Sequence, residues 1–380
     1  MIENRDILFL SGIRWEFSWQ RQQQFTSLLA LRNRVLFVEM SLSPANLIKE
    51  WKTTLRHWGN WKEGVREIRN NLLVVSGPPI LPLGRSFIAL NRFNQGLIFA
   101  AVRRIMRKLH FDKPLVWISD PYLSGFSRDF GQELTIFDWI HDDPGKPESR
   151  IGRIYQRLLE KTLGGSDLIF TPSRTIFERR GKNDRRYHYL PHGADWKKFS
   201  HLPEGIPEEL KDIPGPLIGF SGTVGPALDF DLIGEMARVR RDWSFVFLGT
   251  IRRDPGEIRK CSNIFFLGPR DPLNLPRYLA AFRAGIIPYR TGLEHCTVHP
   301  VKTYEYLAAG IPVVSTSLPE LAHLEGMIEM ANGKEEFIAA LERVLREDDP
   351  RKRGERRKFA RDNSWEARFS QMERIIEDLR

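Results

Sequence analysis

The chain has 380 residues, of which 41% are hydrophobic and 28% charged, and it carries a formal net charge of +10. That is enough apolar material for two domains with separate cores, and the positive excess favours anionic partners: sugar nucleotides, anionic lipid surfaces, acidic glycans or nucleic acid. No run approaches the roughly 18 apolar residues of a membrane span; LIFAAVRRIM is broken by Arg103 and Arg104.

The two cysteines, Cys261 and Cys296, make no disulfide framework and fit a reducing cytoplasm. One such pair supports no zinc site without further ligands at metal spacing, so no metal site is expected. The opening MIENRDILFLSGIRWEF has an early acid and a short apolar run, unlike a signal peptide. Helix-turn-helix, zinc-finger, RNA-recognition and KH signals are missing, and nucleic acid is not expected as a partner.

In chain order, DILFLSG (6–12) reads as a strand, WQRQQQFTSLLALRN as an amphipathic helix and NRVLFVE (33–39) as a second strand. This β-α-β unit implies a parallel sheet with its ligand crevice at the strand C-terminal ends, where the Ser11–Gly12 turn opens. Residues 45–70 interleave Trp51, Trp58 and Trp61 with basic residues. Such a stretch suits an anionic membrane surface, or else a surface helix pair with its tryptophans packed inward. A strand over 71–79 and a basic helix over 87–109 follow. LVWISDPYLSGF ends a strand at Asp120–Pro121, and LTIFDWIHDDPG ends another at His141, Asp142 and Asp143. Strand ends are where an α/β domain places its chemistry, so these three are candidate catalytic residues; capping or turn formation is the plainer role for aspartates before Pro-Gly.

A helix over 151–164, a strand over 166–173 and a short helix lead to YHYLPHGADWKKF (187–199). Pro203, Pro207, Pro214 and Pro216 make the next stretch linker-like. PLIGFSGTVG (216–225) opens a second α/β unit, and Gly222, Thr223 and Gly225 form a turn in which backbone N–H groups can approach a phosphate. Asp229 and Asp231 imitate a D-x-D metal pair but stand at a helix start near Phe230, where capping explains them. Three more strands, at 243–250, 263–269 and 284–290, end near Thr250 and Arg252, Arg270, and Arg290. Residues 335–346 read as an amphipathic helix, 351–361 as a solvated basic helix face, and 364–379 as a final helix.

The densest signal is HPVKTYEYLAAGIPVVSTSLPE (299–320). Pro300 suits a first helical position and Gly310 a helix end, which predicts about three turns of helix followed by a buried strand. Lys302 and Glu305 share one face near the helix N-terminus, where free N–H groups and the dipole attract anions. A lysine there suits a phosphate. A carboxylate one turn deeper suits the hydroxyls of a ribose.

PVKTYEYLAAGIPVVST resembles the donor-nucleotide motif of GT-B fold glycosyltransferases, above all the family 4-like, teichuronic-acid-type polysaccharide group. Glu305 matches the second glutamate of that group's E-x7-E motif, while Thr297 stands where the first would fall and Glu294 lies three residues early. LPHGADWKKF is similar to the group's LPNGVD…F segment, with His192 replacing asparagine, and RWEFSWQRQQQF…NRVLFVE resembles its N-terminal domain. The resemblance implies two Rossmann-like domains facing across a cleft: an acceptor-side domain over 1–195, a nucleotide-sugar domain over 196–363, and a terminal helix over 364–380 crossing back to the first.

It further implies metal-independent, retaining transfer of a sugar from a nucleotide diphosphate sugar, UDP- or GDP-linked, to a glycan or lipid-linked acceptor, with no separate cofactor. The protein would be cytoplasmic, peripheral on the inner face of the cell membrane. Lys302 would act on the leaving group. Gly222, Thr223, Gly225, Thr250, Arg252, Arg290, Val301, Lys302, Thr303 and Glu305 would hold the donor. A sugar-nucleotide epimerase of the same fold and a catalytically silent nucleotide-binding subunit remain as alternatives, whereas a phosphorylase-like activity lacks its pyridoxal lysine context.

Overall fold

The computed structural model describes residues 2–16, 19–126, 130–140, 148–292 and 299–379. They fall into two compact units, one of residues 1–191 and 369–380, the other of residues 192–368.

The first unit is built on β1 (Asp6–Leu10), β2 (Arg34–Val38), β3 (Val65–Arg69), β4 (Leu72–Val75), β5 (Leu115–Ile118), β6 (Leu134–Asp138), β7 (Leu168–Thr171) and β8 (Tyr187–Tyr189). Their order is β3-β4-β2-β1-β5-β6-β7-β8, and all pairs are parallel except β3 with β4. Helices α1 (Arg21–Leu29), α2 (Asn46–Glu63), α3 (Ile88–Lys108), α4 (Arg150–Gly165) and α5 (Arg174–Ile176) connect the strands. Both sheet faces are buried, so the strands are continuous apolar runs rather than alternating ones. One face carries Leu8, Leu36, Val116 and Ile169. On the other, Phe37, Phe9, Trp117 and Phe170 stack at 5.4, 5.6 and 5.9 Å between successive rings. Residues 65–69, within the tryptophan-rich stretch, form the antiparallel strand β3 rather than part of a helix pair. Only α2 is helical there, and it bends at Glu50 (φ −143°, ψ 53°).

The second unit is built on β9 (Leu217–Ser221), β10 (Ser244–Leu248), β11 (Ile264–Gly268), β12 (Ala284–Ile287), β13 (Val313–Thr316) and β14 (Glu329–Ala331), ordered β11-β10-β9-β12-β13-β14 and parallel throughout. Counted within the unit this is 3-2-1-4-5-6, the dinucleotide-fold order, whose switch point lies between β9 and β12. Its helices are α6 (Trp196–Phe199), α7 (Phe230–Val239), α8 (Leu275–Ala281), α9 (Lys302–Ala309), α10 (Lys334–Glu347), α11 (Pro350–Asp362) and the start of α12 (Trp365–Glu377), whose residues from Phe369 onward belong to the first unit.

Three expectations change here. The proline-rich stretch 203–216 is part of the second unit: Leu210 is buried in its core, and Glu209 accepts hydrogen bonds from Tyr278 at 2.5 Å and Arg270 at 3.0 Å. The prolines stiffen a packed segment instead of freeing a linker. The basic run 351–361 is mostly solvated, but Arg356 is buried and donates to the Gly310 carbonyl from Nε at 3.0 Å and Nη2 at 2.7 Å. A guanidinium therefore closes the C-terminus of α9, where carbonyls lack partners and the dipole is negative. Finally, α9 has eight residues, about two turns rather than three, because the chain enters it at Val301 and Pro300 stays outside.

Candidate active site

The second sheet is shaped to receive α9. Gly219 on β9 and Gly285 on β12 are paired neighbours across the switch point. A Cβ on Gly285 would lie 2.5 Å from the Tyr306 ring, and one on Gly219 would lie 1.9 Å from the Phe282 ring. The missing side chain of Gly285 makes a recess in which the Tyr306 ring lies against the sheet, and that of Gly219 makes room for the Phe282 ring. The Tyr306 hydroxyl reaches the end of β9, accepting from the Ser221 amide at 2.7 Å and standing 3.2 Å from Ser221 Oγ. Burial pushes the Tyr306 phenol well above its ordinary value, so it stays protonated. At its other end α9 stops on Gly310, in the left-handed conformation at φ 80°.

This seating brings Lys302 over the glycine turn that follows β9. A side chain at Gly222 would put its Cβ 3.0 Å from Lys302 Cε and 3.2 Å from Nζ. The ammonium donates to the Tyr289 hydroxyl at 2.6 Å and lies 4.9 Å from the Phe220 ring centre and 5.0 Å from that of Tyr289. Two aromatic faces and a hydroxyl thus hold the cation at the C-terminal ends of β9 and β12. Among the described residues it has no carboxylate partner within ion-pair distance.

The turn itself is fixed by its neighbour. Gly222 (φ 141°) donates to the Leu248 carbonyl at 2.8 Å, Val224 donates to Thr250 at 3.0 Å, and Arg252 donates to Val224 at 2.8 Å. A Cβ on Gly249 would fall 1.9 Å from the Gly222 carbonyl oxygen, so the turns after β9 and β10 are in backbone contact. Thr223, Thr250 and Arg252 are exposed there, whereas Gly225 is buried. Arg290 is half-buried, and its amide is held by the Ala227 carbonyl at 2.8 Å. Among the described residues neither the Arg252 nor the Arg290 guanidinium has a carboxylate partner.

At the start of α9 the Thr303 and Tyr304 amides bond back to Pro300 at 3.1 Å and Val301 at 3.0 Å. Glu305 is partly accessible yet hemmed in by protein. Burial raises its carboxyl above the usual range, and Lys198, Lys302 and Asp195 act against or with that rise more weakly. It accepts no hydrogen bond from the described residues. Thr303 is fully buried, and its hydroxyl has no hydrogen-bond partner among the described residues.

The sequence reading brought Lys302, Gly222 and Glu305 into one site; the structure sets Lys302 against Gly222, with Glu305 one helical turn further along α9. The sequence reading missed Tyr289, Phe220 and Tyr306. Tyr306 could have been found from Gly285, a glycine inside an otherwise bulky strand that marks a close approach. Asp229 accepts from the Asp231 amide at 3.1 Å and the Leu232 amide at 3.0 Å, as a helix cap does. Arg270 is engaged by Glu209 and Tyr278. His141, Asp142 and Asp143, with Thr297 and Glu294, lie outside the described residues.

Residues 215–347, within the second unit, match the family model described as Glycosyl transferases group 1. Over 197 residues the chain is 32% identical to TuaH of Bacillus subtilis (strain 168), a protein assigned to teichuronic acid biosynthesis as a glycosyltransferase; the match covers 49% of this chain and 50% of that protein. The chain thus spans about half the length of this curated relative. Among solved structures, one titled as trehalose-6-phosphate from E. coli bound with UDP-2-fluoro glucose matches with a TM-score of 0.71 at 13% identity, over 98% of both chains. Sucrose-phosphate synthase from Thermosynechococcus elongatus matches with a TM-score of 0.71 at 14% identity, over 99% of both chains. WaaG, a glycosyltransferase involved in lipopolysaccharide biosynthesis, matches with a TM-score of 0.66 at 14% identity, over 96% of this chain and 98% of that one. These likenesses show the fold, which is that of the GT-B glycosyltransferases.

Proposed function

We propose that this protein transfers a sugar from a nucleotide diphosphate sugar to a hydroxyl of a glycan or lipid-linked glycan, in the synthesis of a surface polysaccharide. The second unit holds the donor and the first unit the acceptor. The observation that carries this reading is the position of Lys302. Its ammonium, which among the described residues has no carboxylate partner, stands beside a glycine turn at the switch point of a 3-2-1-4-5-6 sheet, one helical turn from a carboxylate that accepts no hydrogen bond from the described residues. A phosphate at the turn and a ribose at Glu305 would fill that arrangement.

The barrier to transfer lies in breaking the anomeric C–O bond while the pyrophosphate gathers charge. Cations and N–H dipoles already aimed at that charge stabilise the transition state without reorganising. Lys302 supplies the nearest cation, with Arg252 and Arg290 in supporting positions. Thr223, Gly225, Thr250 and Val301 belong to the surrounding backbone cradle. His141, Asp142 and Asp143 are proposed on the acceptor side, at the end of the strand that precedes them. Because Asp229 is spent on capping α7, the D-x-D-like pair gives no support to a metal requirement, and transfer is read as metal-independent with retention of configuration. The setting is cytoplasmic, with the acceptor at the inner membrane face.

The test is a thermal-shift panel of nucleotides and UDP- and GDP-linked sugars, since a ligand of the native state raises its stability with occupancy. A shift with one nucleotide series, followed by sugar transfer with its sugar-bearing member, supports the reading. Donor consumption without any acceptor would instead assign an epimerase, and binding without turnover a silent subunit.

A further inference from the structure

His192 opens the second unit, in the LPHGAD segment that the donor site leaves unused. Its side chain is buried, and the backbone around it is pinned. Ala194 donates to the Asn363 carbonyl at 3.0 Å, and Trp365 donates to the Ala194 carbonyl at 3.0 Å. A Cβ on Gly193 would lie 2.7 Å from the Trp365 nitrogen, so two backbones meet where only a glycine leaves room. Arg368 Nε adds a hydrogen bond to the His192 carbonyl at 3.3 Å. The ring at 192 is therefore presented from a fixed base.

From that base it meets the Trp365 ring edge-on at 5.9 Å and lies 5.0 Å from the His299 ring, centre to centre. His299 is buried as well, 5.6 Å from the Tyr304 ring and 5.5 Å from that of His323. Tyr304 closes the cluster, its hydroxyl 3.0 Å from His323 Nε2. Tilted rings at these separations attract one another and, packed on several sides, have little room to turn. His299 stands just ahead of α9, and Tyr304 lies within its first turn. Between them are Pro300 and Val301, whose carbonyls take the first amide bonds of that helix. Gripping both sides of this turn fixes where α9 starts, and with it the backbone from which Lys302 extends. Phe199, further along the same segment, is buried in one core with Tyr304. Tyr289 holds the far end of the lysine, and the ring cluster holds the near end.

We propose that His192 is a positioning residue for the donor site: through His299 and Tyr304 it holds the start of α9, so that Lys302 meets the glycine turn already in place. The part Lys302 plays in transfer rests on the proposed function; the hold on α9 rests on the rings alone. A cation that must first swing into position stabilises developing charge less than one already aimed at it. Loss of the ring at 192 should therefore reach turnover before it reaches donor affinity, and it should act only where Lys302 is present.

The experiment uses the full chain and two readouts. Hydrogen exchange followed by mass spectrometry reads α9 with no ligand present. His192→Asn and His192→Leu, which remove the ring, should speed exchange at Thr303 and Tyr304 by about tenfold, while the amides of α10 keep the wild-type rate. His192→Phe, which keeps a ring, should restore the protection. Steady-state kinetics with UDP- or GDP-linked sugar then read the site. His192→Asn should lower turnover by about 10- to 100-fold, the scale of a small misplacement, with a smaller change in the donor Michaelis constant. In the Lys302→Ala background the same change should add little. Unchanged exchange at the start of α9 overturns the proposal, as do turnover losses that add in full to those of Lys302→Ala. Exchange that rises evenly over the second unit, or failure of both ring-removing variants to fold, marks a merely structural residue and overturns it too. A wild-type chain that neither binds nor consumes any nucleotide sugar sinks the donor reading, and the exchange result still decides whether His192 holds α9.

Discussion

Lys302 donates to the Tyr289 hydroxyl at 2.6 Å, and that hydrogen bond ties the first residue of α9 to the chain leaving β12. It fixes a flexible four-carbon side chain beside the glycine turn of β9. A preorganised cation is worth most where charge develops, so Lys302 should matter more in the transition state than in the ground state.

Lys302→Ala is therefore expected to lower turnover by about 10²–10³-fold, the usual range for loss of one oxyanion donor, with a much smaller loss of donor affinity. Tyr289→Phe keeps the cation and removes only its guide, so its effect should be smaller and in the same direction. Steady-state kinetics with a matched donor and acceptor separate the two parameters. If Lys302→Ala raises only the donor Michaelis constant, the leaving-group role passes to Arg290 or Arg252.

The sequence made this site legible in part because its signals are local. A lysine and a glutamate three apart, a glycine after the helix and a glycine turn after a strand can each be read within a few residues. What packs them together is not local. Tyr306 finds Ser221 across 85 residues, Arg356 finds Gly310 across 46, and the recess for Tyr306 needs Gly285 on β12. The same limit applies to α2: Trp51, Trp58 and Trp61 look alike in sequence, and only the packing of α2 leaves Trp51 exposed while Trp58 turns in.

Glu305 should make donor binding depend on pH. Its carboxyl is raised by burial, so the unliganded folded chain holds that proton more tightly than the unfolded chain does. Stability from this group is full below the ordinary glutamate range and is lost as pH rises through the raised value. A ribose needs the carboxylate as acceptor, so the stabilisation given by nucleotide should grow over the same interval. Glu305→Gln should flatten both trends, and Glu305→Ala should weaken nucleotide binding by about 1.5–3 kcal/mol, the worth of a charged hydrogen bond. Thermal shifts measured with and without nucleotide across pH check the prediction; unchanged affinity in both variants would remove the ribose role.

Tyr306→Phe keeps the ring in its glycine recess but strips the partner from the buried Ser221 amide. An orphaned buried donor costs about 1–3 kcal/mol, so the melting temperature should fall. Because Ser221 leads directly into Gly222, donor affinity should fall as well. A variant with normal stability would mean that Ser221 finds another acceptor.

Gly222→Ala tests whether the turn and the lysine act as one unit. At a φ of 141° an added methyl is strained, and its nearest neighbours are Lys302 Cε at 3.0 Å and Nζ at 3.2 Å. Those atoms end a flexible chain, so the lysine can swing away and the domain should still fold, at a cost of about 1–3 kcal/mol for the strained backbone. Gly249→Ala is the contrasting control, because its Cβ would meet the Gly222 carbonyl oxygen at 1.9 Å, and backbone cannot swing away. It should unfold or fail to express. If displacement of Lys302 is how Gly222→Ala acts, turnover should fall nearly as far as in Lys302→Ala. The double variant should then be little worse than Lys302→Ala alone, because the cation is already gone. Fully additive losses would instead show that the Gly222 backbone contacts the phosphate in its own right, independently of the lysine it faces.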